Sequence, residues 1–351
     1  MLYSDCCSLI EVTRGRIVES IHFGAIAVVD SNGRLLCGCG NVDAVTYLRS
    51  ASKPIQVLPF LEDGGMETYR FTEQELAIMC ASHSGTDEHV AVIHAMQHKV
   101  GLSDADYLCG THPPMHWPTR RAMLQRGEEP TPSRHTCSGK HTGMLALARL
   151  RGWQLEDYIR PEHPVQQRII KTFSEMSDVP VEDIQIGIDG CSVPVFGVPL
   201  RNAALAFARL VDPIHAGLDE RRAAACRRVV QAMVTYPGMV AGPERFDTDL
   251  MLAGKGKIVA KVGAEGYQLI GIERGALDKD SPALGIAYKI SDGDEAGRAG
   301  PLVGLEVLRQ LGFVFPVETV GLARYDSRQM KNYKKLIVGE IRPSFHLQWR
   351  M

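Results

Sequence analysis

The sequence carries no surplus of positive charge. Its 39 lysines and arginines stand against 41 aspartates and glutamates, a formal net charge of -2, and no basic stripe gathers on any segment. Proteins that bind nucleic acid need a cationic surface to displace counterions from phosphates, so that class is excluded. An apolar run of the roughly 20 residues needed to cross a bilayer is also missing. The first residues, MLYSDCCSLIEVTRGRIVES, lack the basic start and apolar core of a leader. The expectation is a cytoplasmic protein that meets neither nucleic acid nor membrane. No internal repeat or low-complexity tract is present. The nine cysteines (Cys6, Cys7, Cys37, Cys39, Cys80, Cys109, Cys137, Cys191 and Cys226) are odd in number and scattered, which is not the layout of a disulfide framework. Most are expected to be reduced thiols, several of them buried.

What is present is a balanced globular composition, with 45% hydrophobic and 23% charged residues over 351 positions, enough for one large unit or two lobes. Residues 16–39, RIVESIHFGAIAVVDSNGRLLCGC, give two extended apolar runs around an Asn32-Gly33 turn and predict a hairpin. Strand-like alternation returns after about residue 256 in KIVAKVGAEGYQLIGIE and LGIAYKISDG. Between residues 72 and 236 apolar residues recur three and four apart, as in TEQELAIMC, DEHVAVIHAMQHKVGL and LRNAALAFARLVDP, which predicts helices. A last helix is expected in DEAGRAGPLVGLEVLRQLG. This order implies an α+β fold: an antiparallel sheet built from both ends of the chain, flanked by helices, with a helix-rich lobe inserted. The division expected is residues 1–62 with 240–351 for the sheet-centred lobe and 63–239 for the helical one. The proline-rich stretch from Cys109 to His141 is a long loop of the kind that tends to be functional.

Three segments carry side chains with chemistry. In YLRSASKPI, Ser50 and Lys53 are three apart and share a face if a helix begins there, while Ser52 points elsewhere. An ordinary lysine, with a pKa of about 10.4, is protonated at neutral pH, but burial and nearby positive charge lower it until the amine can deprotonate a serine, as in the S-x-x-K arrangement. The plainer reading of the same string is a solvated helix start. CASHSGTDEH sets Ser82, His83 and Ser84 at the end of an apolar helix, with Thr86 or Asp87 available to cap the next. His83 has either a Ser-His role or an incidental one, since no acidic partner is evident. TCSGKHTG and GIDGCSVPVFG hold Cys137, His141 and Cys191, a loose set of soft and borderline metal ligands without C-x-x-C spacing, which are otherwise buried thiols. Asp189 falls where an apolar strand ends, beside a turn or aimed into a site.

Taken together, RSASKP, CASHSG, CSGKHTG, DGCSVPVFG, AKVGAEG and VGEIRP, in that order from about residue 10 to 343, resemble the Rhizobium-type L-asparaginases, the class 3 or asparaginase II-like family. The resemblance implies hydrolysis of L-asparagine to L-aspartate and ammonia, a fold similar to serine β-lactamases and glutaminases, and a homodimer. It implies two serine-lysine tandems, Ser50 with Lys53 and Ser82 with Lys261. It also implies a metal, usually zinc, on Cys137, Lys140 and Cys191, with His141 and Asp189 near the substrate. Lysine as a ligand is implied by the resemblance alone, because an ammonium has no lone pair until it loses a proton. The family often has a glutamate after SHSG, where this chain has Thr86 and Asp87. The S-D-N and K-T-G signatures of penicillin-binding enzymes are absent; the nearest strings are SDG at 291–293 and KTF at 171–173.

Within this reading Ser50 is preferred over Ser82 as the nucleophile because of its i, i+3 lysine, and Arg49 is a candidate grip for the substrate α-carboxylate. The metal either orients substrate or braces the loop carrying His141. Rival readings are another serine acyl hydrolase such as a glutaminase, esterase or β-lactamase, a non-catalytic amino-acid-binding protein that has kept the pocket, and a metal-hydroxide hydrolase.

Overall fold

The computed structural model of the protein describes residues 3–315, 321–326 and 328–350. The strands are β1 (Cys7–Arg14), β2 (Ile17–Asp30), β3 (Leu35–Cys39), β4 (Val45–Tyr47), β5 (Gln185–Ile188), β6 (Pro194–Pro199), β7 (Ile258–Val262), β8 (Tyr267–Ile272), β9 (Leu284–Ile290), β10 (Arg328–Lys331), β11 (Ile337–Pro343) and β12 (Gln348–Trp349). The larger sheet runs β10-β11-β1-β2-β9-β8-β7, with β3 on β2 and β12 on β3. All its pairings are antiparallel, and the fold class is α+β as expected.

The predicted hairpin is β2 with β3. Its turn is closed by Asp30, whose Oδ1 accepts from the amides of Asn32 (2.9 Å) and Arg34 (3.0 Å). Asp30 is able to serve both because a short carboxylate reaches its own backbone two and four residues on. The fourteen-residue β2 then crosses to the C-terminal strands, pairing Gly24 with Ile290 through Asp30 with Leu284 on β9. The two ends of the chain therefore share one antiparallel sheet. Both of its faces are covered there: Ile26, Val28, Ile270 and Ile286 on one face and Leu269 on the other are all fully buried.

The middle of the chain is less uniformly helical than periodicity suggests. β4, β5 and β6 form a second sheet, ordered β4-β6-β5, so residues 185–199 are tied to the N-terminal segment. The helix Leu200–Val211 packs on the larger sheet, close enough that a Cβ on Gly285 would meet the Ala204 carbonyl oxygen at 1.8 Å. Short strands of mixed apolar residues bounded by glycine and proline are poorly separated from helix by periodicity alone. The last helix is Gly300–Gln310.

Cys7 and Cys39 form a disulfide between β1 and β3, which follow one another along the edge of β2 opposite β9. The other seven cysteines are free, and six of them are buried. Among the described residues no helix is long and apolar enough to cross a membrane.

Candidate active site

The polar cluster after β4 sits inside the protein. Residues Arg49–Ser52 form one 3-10 turn and Lys53–Gln56 the helical turn after it, entered through Pro54. Arg49 is held at φ 51°, a left-handed conformation that is unfavourable for a long side chain. Ser52, fully buried, supports that turn: its hydroxyl donates to the Arg49 carbonyl (2.9 Å) and accepts from Gln56 Nε2 (2.9 Å). Its role is local bracing.

Lys53, 1% exposed, points into the interior. Its amine donates to the Ala81 carbonyl (2.6 Å), Ser82 Oγ (3.1 Å) and Cys137 Sγ (3.2 Å). These bonds use all three protons of an ammonium. None goes to Ser50, which is half-buried at the rim of the turn. The spacing of Ser50 and Lys53 thus predicted a partnership that the structure does not make. A buried cation is stable only where acceptors saturate it, and those acceptors come from residues 81–82 and 137 rather than from one turn back.

Ser82 is brought in by the helix Glu73–Met79, started by a capping box in which Thr72 and Glu75 bond each other's backbone. Beyond Cys80 the chain is extended, and the Ser82 amide donates to the Val240 carbonyl (3.0 Å). The Ser82 hydroxyl lies 3.1 Å from Lys261 Nζ as well as 3.1 Å from Lys53 Nζ. Lys261, the last residue but one of β7 and fully buried, also donates to the Val262 carbonyl (2.7 Å). Burial pushes its pKa down to about 7, with the cations of Lys53 and Arg245 adding to the effect and the Asp247 carboxylate opposing it. One hydroxyl is therefore shared by two buried amines, Lys53 with three acceptors around it and Lys261 with its pKa lowered by burial.

His83 does not pair with Ser82 or Ser84. Its Nδ1 accepts from the Gly85 amide (3.2 Å), so Nε2–H donates to Ser138 Oγ (2.8 Å), which in turn donates to the Ser133 carbonyl (2.9 Å). Burial holds its pKa well below the ordinary value, and the neutral ring ties the Ser82 segment to the loop before residue 138. Thr86 is the cap of the next helix, Asp87–Val100.

Cys137, Lys140 and Cys191 converge. Lys140 Nζ donates to Cys191 Sγ at 3.1 Å, and the thiols of Cys191 and Cys137 are hydrogen-bonded. That bond, against the effect of burial and with help from Lys53 and Lys140, holds the Cys137 thiol well below its ordinary pKa; Cys191 is pushed up by the same bond and by burial. Burial works to lower Lys140, but Cys191, Cys137 and Asp189 outweigh it and raise the amine to about 12. The helix Ser138–Leu150 reaches this position because residue 139 is glycine: a Cβ there would meet the Ile78 carbonyl oxygen at 2.0 Å. Among the described residues no three His, Cys, Asp or Glu side chains gather as a metal site, so a metal here requires the lysine. Two sulfurs and one nitrogen, buried and in mutual contact, fit a borderline-soft dication such as Zn2+.

His141 is fully buried and donates nothing through Nδ1, which accepts from Tyr158 (2.5 Å), since the Tyr158 oxygen already accepts from the Leu108 amide (3.0 Å). Among the described residues its Nε2–H has no partner. Burial keeps the ring neutral. Asp189 follows β5, with Ser192 at φ 72° in the tight turn that presents Cys191. Asp189 Oδ1 accepts from the Gly190 amide (2.8 Å) and from Arg49 Nε (2.8 Å) and Nη2 (2.7 Å). Six of the ten residues singled out from sequence thus meet in two clusters linked by the Lys53–Cys137 contact; Arg49 and Asp189 pair with one another, His141 bonds Tyr158, and Ser50 stands at the rim. Sequence reading missed Tyr158, Asp247 and Arg245, which lie in no motif, and passed over Ser138 inside CSGKHTG; all four act through long-range contacts.

The L-asparaginase II family matches residues 10–343. The chain belongs to that family. It is therefore an amidohydrolase, as the six sequence blocks implied. No match was found among curated proteins. Among solved structures, the Bacillus subtilis glutaminase YbgJ in covalent complex with 5-oxo-L-norleucine is 13% identical, with a TM-score of 0.38 over 82% of this chain and 86% of that one. A Bacillus subtilis probable glutaminase complexed with 6-diazo-5-oxo-L-norleucine is 13% identical, TM-score 0.40, over 83% and 84%. Mglu in its native form is 18% identical, TM-score 0.37, over 82% and 63%. These likenesses are too distant to carry an argument about substrate.

Proposed function

We propose that this L-asparaginase II family member hydrolyses L-asparagine to L-aspartate and ammonia with Ser82 as nucleophile and Lys261 as its base. The observation that carries the reading is the Ser82 hydroxyl 3.1 Å from both buried amines. A neutral Lys261 accepts the Ser82 proton, and Oγ attacks the side-chain amide carbon. Lys53, already saturated as a cation, stabilises the charge that grows on the serine and holds Lys261 deprotonated. When the tetrahedral species collapses, the carbon–nitrogen bond breaks and Lys261 returns the proton to the leaving nitrogen, which departs as ammonia. Water then gives a proton to Lys261 and attacks the Ser82 ester, and that proton goes back to Oγ as aspartate leaves.

Around this core, Asp189 is oriented by Arg49 so that its carboxylate can meet the substrate ammonium, and the unpartnered Nε2–H of His141 is an available donor to a substrate oxygen. Glutamine, which carries the same amide one methylene further out, is the competing substrate. Steady-state ammonia release from L-asparagine and L-glutamine tests the reading, which expects a clear kcat/KM preference for asparagine. A preference for glutamine would overturn the substrate, and turnover of neither would overturn the activity.

A zinc-like ion would be held by Cys137, Cys191 and the deprotonated Lys140; when bound it supplies a fixed positive charge beside the site. Protein purified without chelator should contain close to one metal per chain by elemental analysis, and Cys191→Ser should lose it. Retention of metal in that variant would refute the ligand set. The homodimer implied by the resemblance belongs to the same reading and is tested by sedimentation.

A further inference from the structure

Recognition of an amino-acid amide needs a cation for the α-carboxylate, and the residue adjacent to Ser50 in sequence is not the one best placed to supply it. Arg49 directs Nε and Nη2 at the same oxygen of Asp189, at 2.8 and 2.7 Å, so its charge is already answered inside the protein. Arg245 differs. Among the described residues it closes no ion pair with a carboxylate, and its only contacts of note are long ones, Nη1 to Ser84 Oγ at 3.4 Å and to Met115 Sδ at 3.7 Å. Ser84 cannot compensate the charge, since its own proton goes to the Ala241 carbonyl at 2.8 Å.

The position is also right. Ser84 lies two residues beyond Ser82 on the same extended segment, and the Arg245 cation is near enough to Lys261 to help lower that amine's pKa. Arg245 is half-buried and lines a cavity of about 600 Å³ that it shares with Val262 and Gly263, at the end of β7 where Lys261 sits. Six acids line that cavity and, among the described residues, none closes on Arg245: Asp247 accepts from the Val262 amide (2.7 Å) and Gln268 Nε2 (2.8 Å), Asp294 from the amides of Ala299 and Gly300, Asp292 pairs with His22, and Glu244, Glu265 and Glu295 make no ion pair with it. A guanidinium left without a carboxylate among the described residues, touching the segment that carries Ser82 and lining a cavity, is an unfilled carboxylate site.

We infer that Arg245 binds the substrate α-carboxylate and is the residue that restricts this enzyme to amino-acid amides. The inference rests on the amidohydrolase reading of the Ser82 site but not on whether asparagine or glutamine is preferred. Such a contact is made equally in ground state and transition state, so its loss raises KM and leaves kcat largely intact when compared at a pH well above the Lys261 limb, where that amine is neutral with or without the Arg245 charge.

The test compares wild type, Arg245→Met and Arg245→Lys on L-asparagine and on β-alaninamide, the same amide without the α-carboxylate, measured as substrate or competitive inhibitor. Arg245→Met should raise KM for L-asparagine roughly tenfold to a hundredfold, the range of a charge-assisted bond removed, and leave the affinity for β-alaninamide unchanged. Arg245→Lys keeps the charge without the two-point fork and should fall between; it also serves if the methionine variant folds poorly. An unchanged KM, or equal losses on both amides, overturns the inference while the wild-type turnover still stands. A wild type that releases ammonia from no amino-acid amide defeats the underlying reading first, and the clamp with it.

Discussion

Replacing Ser82 with alanine should lower kcat for ammonia release by roughly a thousandfold or more, while Ser50→Ala should cost less than about tenfold, because loss of a nucleophile removes the covalent route and loss of a rim hydroxyl does not. The contrast follows from how the two lysines are bonded. Lys53 has no lone pair to offer either serine so long as it gives its three protons to the Ala81 carbonyl, Ser82 and Cys137. Lys261 has only the Val262 carbonyl and Ser82 within reach, so once neutral it has a lone pair free to accept the Ser82 proton across 3.1 Å. A hydroxyl that accepts from one amine and donates to the other is activated; a hydroxyl bonded to neither is not. The acyl group should also be found on Ser82 when the enzyme is quenched during turnover with a slow amide and its peptides are weighed by mass spectrometry. An adduct on Ser50, or a Ser50→Ala variant as inactive as Ser82→Ala, would return the nucleophile's role to the S-x-x-K serine.

The sequence showed which residues matter better than how they are joined. Strand and hairpin assignments were legible because β2, β8 and β9 are apolar, β-branched and bounded by turn residues, and the shared sheet followed from neither end having enough strands alone. The second sheet was not legible, since β4 has three residues and β5 four. In the site, Ser50 and Lys53 looked like partners because helical spacing is the one proximity a sequence displays. The contact that exists, Lys53 to Ser82, spans 29 positions, and Lys261 to Ser82 spans 179. Arg49 and Asp189, 140 apart, each appeared as a candidate substrate ligand, yet in the fold they are ligands of one another. Neither a residue's partner nor the absence of one, as at Arg245, is written in local pattern.

Lys261→Met should be the most informative loss after Ser82. It removes the base and should reduce kcat by on the order of a hundredfold or more, the range expected for general base catalysis. In the wild type, activity needs the amine neutral, so kcat/KM should rise as pH passes through about 7, the value to which burial, reinforced by Lys53 and Arg245, lowers it. In Lys261→Met that rising limb should vanish. Removing a neighbouring charge should move the limb without abolishing it, and the direction is fixed by sign. Asp247 is the carboxylate that favours the protonated amine, so Asp247→Asn, which retains an acceptor for the Val262 amide, should shift the limb to lower pH. Stability should carry the same signature: between about 7 and the ordinary lysine value of about 10.4 the unfolded chain binds more protons at this position than the folded one, so stability rises with pH across that window. Lys261→Met should flatten that slope in urea unfolding at pH 7, 8 and 9. A variant that keeps both the kinetic limb and the slope would mean that another group titrates in the site and that Lys261 is structural. Because Ser82 and Lys261 act on one proton, the double variant should fall little below Ser82→Ala alone.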